Sequence, residues 1–242
     1  MRKLEVIGLL LILTSAYPLL LMGREVVAQR RAYGLYGLRR VPTNVPGFAD
    51  DALTAQIGSH RVELRDDFSG PSSKPEGRAK GRVSIIIDGR DYSFDNEVEI
   101  RPFFKDQNRY HSWVKLVRLE DRTADRERVA IVQRISPLVA AGREEWEIPR
   151  EELRYRILLV TEDGQVSEEI FPFQERARPP YRAMLAKYVT PFGIGFYSEA
   201  LQAWPNIAYP ILYPWLTAIV GFGMAAVGLV RRVYRSIVAP AH

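Results

Sequence analysis

The chain has 242 residues, 47% of them apolar and 26% charged, which suits one core of ordinary size with appendages and excludes general disorder. It has no cysteine and only three histidines, His60, His111 and His242. A disulfide framework, a thiolate zinc site, a cysteine-ligated cluster and a cysteine nucleophile are therefore excluded. The formal charge of +5 sits at the ends: residues 1–58 carry a net +3 and residues 206–242 a net +3, while residues 59–205 carry −1. A nucleic-acid binder carries its excess on the folded domain, whereas a membrane protein carries it beside its spans, so a lipid bilayer is expected and nucleic acid is not.

Leu4 to Met22, LEVIGLLLILTSAYPLLLM, is a run of 19 residues with Glu5 as its one charge. At 1.5 Å per residue such a helix covers about 28 Å, close to the hydrocarbon thickness. Met1-Arg2-Lys3 before the leucines also fits a cleaved signal peptide, but no clean A-x-A site follows. Residues 1–22 are thus expected to be an uncleaved signal-anchor helix. Pro18 cannot donate to the carbonyl four residues before it, which lipid tolerates only where a neighbour satisfies that carbonyl.

Residues 23–58 read as a connector, punctuated by Gly34, Gly37, Pro42, Pro46 and Gly47 and without a helical stripe. Arg30, Arg31, Tyr33, Tyr36, Arg39 and Arg40 place cations beside aromatics, as a headgroup surface or a partner's groove would require. A solvated linker is the alternative.

Residues 59–173 have a β pattern. Arg61–Arg65 alternates polar and apolar, and Ser69–Lys80 is a polar loop. Arg82–Asp88, Gly89 and Arg90–Phe94 form a hairpin about Asp88-Gly89. Short strands follow at Glu97–Ile100, Trp113–Leu119, Arg128–Ile135 and Glu145–Ile148. A second hairpin joins Arg154–Thr161 to Gln165–Phe171 through Asp163-Gly164. Eight or nine strands over about 113 residues imply an antiparallel β-sandwich of immunoglobulin-like size, with a small barrel as the competing form. The expected core is Val62, Leu64, Val83, Ile85, Ile87, Val98, Ile100, Val114, Leu116, Val129, Ile131, Ile157, Leu159 and Ile170.

Residues 174–206 return the chain toward the bilayer, with a short helix Tyr181–Tyr188 after Pro179-Pro180 and an interfacial aromatic stretch Phe192–Trp204. Residues 207–230 hold 24 residues without a charge and read as the second transmembrane helix. Its regular part should begin near Pro214, with Trp204, Tyr209, Tyr213 and Trp215 as interface anchors at one end and Arg231, Arg232 and Arg235 at the other. Thr217, Gly221, Ala225 and Gly228 form a stripe of small residues on which another helix could pack closely. Residues 231–242 form a basic tail. The arginine trio, set against the absence of Lys and Arg from Tyr188 to Val230, places both termini in the cytoplasm and the β domain outside, periplasmic in a bacterial inner membrane. Arg24, Arg30, Arg31, Arg39 and Arg40 after the first span vote for the reverse.

No catalytic, metal or cofactor motif emerges. His60 and His111 lack a second histidine at ligand spacing and read as surface groups; Asp50-Asp51 and Asp66-Asp67 read as loop solubilisers. Neither span has a histidine, and apart from Glu5 neither has an ionisable group to relay protons. The expectation is a non-catalytic accessory subunit of a larger membrane complex, respiratory or photosynthetic in type, whose partners are other membrane subunits. An assembly factor of the same plan, a periplasmic binding or sensor module and an anchored enzyme are the alternatives.

Overall fold

Near-continuous apolar runs in the middle of the chain, VAIV and ILLV, mark strands buried on both faces rather than one. The structure, a computed structural model, describes residues 2–41, 53–68, 79–105, 107–136, 147–199 and 208–238. It divides into two compact units, residues 30–196 and residues 1–29 with 197–242.

The first of these units is mostly β, and its sheets are antiparallel. The helix α1 (Arg2–Leu35) ends in it and leads straight into β1 (Tyr36–Arg40). The strands that follow are β2 (Thr54–Ile57), β3 (His60–Asp66), β4 (Ala79–Gly81), β5 (Val83–Ile87), β6 (Arg90–Asp91), β7 (Val98–Ile100), β8 (Val114–Asp121), β9 (Arg126–Arg134), β10 (Arg154–Thr161) and β11 (Val166–Pro172). Among the described residues they make a five-stranded sheet β1-β8-β9-β10-β11, a four-stranded sheet β2-β3-β5-β6 and the pair β4-β7. The short helix α2 (Pro180–Ala186) opens on a proline at its first turn, where no amide is needed.

Strand alternation sends neighbouring residues of the large sheet into two different cores. Val114, Leu116, Val129, Ile131, Leu158 and Val160 join Val62, Leu64, Val83, Ile85 and Ile87 of the four-stranded sheet. Val117, Leu119, Ala130, Val132, Ile157 and Leu159 face the other way, onto Leu185, Ala186, Val189 and Ile194. Thirteen of the fourteen expected core residues are buried, but Ile157 and Leu159 belong to this second core. Ile170 is 51% exposed: in β11 it is Phe171, opposite Tyr155, that points inward. Ile194 and Phe196, expected at a membrane interface, are also buried here.

Several boundaries differ from those read in the sequence. The N-terminal helix does not stop at Met22 but runs to Leu35, and the connector contains β1 and β2. β1 completes the large sheet by pairing with β8, and buried Gly37 lies directly opposite Glu120, where a Cβ would come within 2.5 Å of its carboxylate. Beyond β1, Gln107 takes over that edge: its side chain accepts from the Leu116 amide at 2.6 Å and donates to the Leu116 carbonyl at 3.2 Å, as a paired strand would. Glu147 and Ile148 are not in a strand, and residues 145–146 lie outside the described residues. The Asp88-Gly89 turn has positive φ at both positions, 50° and 78°, the signature of a type I′ hairpin turn.

Asp66 is not a loop solubiliser. At the end of β3 it accepts from Arg109 Nε and Nη2, from the Tyr110 hydroxyl at 2.8 Å and from the Phe68 amide, locking β3 to the turn at 107–110. Asp67 accepts from the Arg82 amide at 2.8 Å. His60, at the start of β3, bonds Asp88 of the β5–β6 turn at 2.6 Å.

Candidate functional site: the paired apolar helices

The second unit contains most of α1 and α3 (Thr217–Val238), which is preceded by π-helical turns over Ala208–Leu216. The regular α-helix therefore starts at Thr217 rather than Pro214, and it continues through Arg231, Arg232 and Arg235 instead of ending before a tail. Among the described residues two helices, Lys3–Leu35 and Leu212–Val238, are long and apolar enough to cross a membrane.

These helices lie antiparallel: Glu5 meets Gly228, Gly8 meets Gly221 and Ala225, and Ser15 meets Thr217. On α1 the buried positions Gly8, Ser15 and Met22 recur every seven residues, the spacing of a helix seam. A Cβ on Gly8 would lie 2.7 Å from the Gly221 carbonyl, and one on Gly221 would lie 2.8 Å from the Gly8 carbonyl. The backbones touch because neither residue has a side chain. The Ser15 and Thr217 hydroxyls are 2.7 Å apart, so these two seam hydroxyls are each other's partners. The small-residue stripe, expected to receive another helix, is occupied by the chain's own first helix.

Pro18 leaves the Thr14 carbonyl without its helical donor, and the Tyr213 hydroxyl donates to that carbonyl at 2.6 Å. Tyr213, expected as an interface anchor, acts as the neighbour that makes the proline tolerable. Tyr213→Phe should weaken helix pairing by about 1–2 kcal/mol, the penalty for an orphaned carbonyl. The loss should vanish in a Pro18→Leu background, where residue 18 regains its amide. Thermal unfolding of the four chains in mild detergent checks this; an equal loss in both backgrounds would refute it.

Glu25 went unnoticed in the sequence. It is 1% exposed and accepts from the amides of Tyr197 at 2.8 Å and Ser198 at 3.2 Å, while Arg24 lies over the Tyr197 ring. An isolated glutamate in an apolar helix gives no sign of a partner some 170 residues away. Gly8 and Ser15 did carry a signal, their seven-residue spacing, but it was hidden among leucines.

The outer faces are apolar: Leu9, Leu13 and Leu20 on α1, and Ile219, Phe222 and Leu229 on α3, are exposed. Trp215 is exposed, as are Arg231 and Arg232 at the far end of α3. Trp204 lies outside the described residues, and Tyr209 and Arg235 are described in backbone only. Among the connector residues, Arg30, Arg31, Tyr33, Arg39 and Arg40 are exposed, with Arg39 3.4 Å from Glu120. Tyr36 is instead a packing residue, edge-on to Tyr181 with centroids 5.4 Å apart. Arg122 closes the end of α1 by donating to the Tyr33 and Leu35 carbonyls.

Among the described residues, no group of three or more His, Asp or Glu side chains could hold a metal ion. The β10–β11 and β8–β9 turns line a cleft of about 350 Å³ with Asp125, Glu127, Glu162 and Asp163 around Arg126. Compared with known protein families, with curated proteins and with solved structures, the chain matches none.

Proposed function

We propose that this chain is a membrane-anchored, non-catalytic accessory subunit of a larger integral-membrane complex. One observation carries the anchoring: α1 and α3 pair through the Ser15 and Thr217 hydroxyls and the Tyr213 bond to the Thr14 carbonyl, and turn largely apolar faces outward. Faces of that extent are tolerated in lipid or against another protein, not in water. With the seam self-occupied, partner subunits would be met by the outer faces, by Arg30, Arg31, Tyr33, Arg39 and Arg40, and by the β domain. The shared core of the two larger sheets fits a β-sandwich as the outward-facing module, its large sheet backed by α2. Antiparallel spans bring both termini to one side, and the arginine trio favours the cytoplasmic side, with the β domain periplasmic.

The test is purification of the full-length tagged chain in mild detergent, followed by mass spectrometry. Stoichiometric recovery with one membrane complex is expected. Substoichiometric capture lost on washing would select the assembly-factor alternative. A monodisperse chain free of partners would refute the subunit proposal.

A further inference from the structure

The antiparallel pair leaves a groove of about 500 Å³ along one flank, at the end where α1 begins. Its floor and walls are Val6, Leu9, Phe222, Ala225 and Leu229, and its rim carries two opposite charges, Glu5 and Arg232. The carboxylate is seated there by Gly228, where any Cβ would collide with the Glu5 side chain. Among the described residues neither Glu5 nor Arg232 has an ion-pair partner. A carboxylate and a guanidinium beside an apolar groove at a membrane boundary are each unfavourable unless a counter-charge or hydrogen-bond partner is supplied.

We propose that this groove binds one phospholipid whose headgroup carries both a phosphodiester and a primary ammonium, as phosphatidylethanolamine does. This rests on the membrane-anchored reading above. An acyl chain lies against Leu9, Phe222 and Leu229, and the groove volume is in the range of ligand sites. Arg232 takes the phosphate through its planar donor fork, and Glu5 accepts N–H donors from the ammonium. A quaternary ammonium has no N–H to give, and a glycerol headgroup has no cation. The pair of rim charges thus distinguishes phosphatidylethanolamine from phosphatidylcholine and phosphatidylglycerol.

The experiment uses the full-length chain. Carbonate extraction of membranes comes first: a chain released into the soluble fraction overturns the membrane reading and this proposal together. For a chain retained in the membrane, delipidated protein is titrated with phosphatidylethanolamine, phosphatidylcholine and phosphatidylglycerol of matched acyl chains, and bound lipid is counted by native mass spectrometry. Phosphatidylethanolamine should be retained about tenfold better than phosphatidylcholine, the ratio of one charge-assisted hydrogen bond. Glu5→Gln should abolish that preference while leaving phosphatidylglycerol unchanged. Arg232→Gln should weaken all three, and Arg231→Gln, which removes an adjacent charge outside the groove, should weaken none. A retained chain that binds the three lipids equally, or whose preference survives Glu5→Gln, overturns the lipid site while leaving the anchor standing.

Discussion

Replacing Gly221 with leucine is expected to separate the two apolar helices. A side chain there starts with its Cβ 2.8 Å from the Gly8 carbonyl, 3.0 Å from the Leu11 Cβ and 3.1 Å from the Ile12 Cγ1. Two of those neighbours cannot retreat without moving the whole of α1. On the proposed membrane reading there is little hydrophobic drive to compensate, because helices in lipid lose nothing by facing acyl chains instead of each other. Overpacking of this kind typically costs about 1–3 kcal/mol, at the upper end roughly a hundredfold in the ratio of paired to separated helices. The absence of native cysteine makes the measurement clean. Ser15→Cys with Thr217→Cys places two thiols where hydroxyls now lie 2.7 Å apart, near disulfide separation. Oxidation in membrane vesicles should cross-link this parent rapidly and the Gly221→Leu derivative slowly. Phe222→Leu, on the exposed side, should cross-link like the parent. Equal rates for Gly221→Leu and the parent would show that close backbone approach does not hold the pair.

Removing the Asp66 carboxylate is expected to destabilise the β unit by about 3 kcal/mol, in the range seen when one partner of a buried ion pair is lost. The Asp66 and Arg109 side chains are only 7% and 17% exposed. In Asp66→Ala the guanidinium keeps the Pro102 carbonyl as an acceptor but loses its counter-charge, and the Tyr110 hydroxyl loses its acceptor. Burial acts to raise the Asp66 carboxyl, but hydrogen bonds from Arg109 and Tyr110 outweigh it and hold the group below the usual carboxylate range. Burial also pushes the Tyr110 hydroxyl upward, so it stays a donor at all ordinary pH. A carboxyl depressed on folding contributes its full stability above the unfolded value of about 3.9 and loses it as pH falls through the lower folded value. The gap between parent and Asp66→Asn should therefore be widest near neutral pH and narrow below about pH 4. Urea unfolding of the full chain in mild detergent, followed by the fluorescence of buried Trp113 in the same core, reads this directly. A gap that stays constant from pH 7 to pH 3 would show that the Asp66 charge has no part in holding the turn.

The two apolar helices, the hairpins at Asp88-Gly89 and Asp163-Gly164, and thirteen of fourteen core positions were legible from local pattern alone. Helix length, strand alternation and turn residues with positive φ depend on neighbours a few positions away, so one chain carries them visibly. The misplacement of Ile170 came from the same rule: a period of two identifies two faces but does not say which is inward, and only Tyr155 opposite Phe171 decides it. β1 was missed because five residues containing a glycine, YGLRR, make a strand only when β8 supplies the pairing. The large sheet's second core likewise depends on α2 and Ile194 returning to cover it.

The small-residue stripe was visible in the sequence, but its occupant was not. Gly8 and Ser15 are some 200 positions from Gly221 and Thr217, and only the fold brings them together. The same holds for Tyr213 over Thr14, Glu25 beneath Tyr197 and Ser198, and Asp66 against Arg109. Apolar patterning is a one-dimensional signal because each residue's preference for water or its absence is its own. A hydrogen bond or ion pair needs two residues at one place, and which two is decided by tertiary structure.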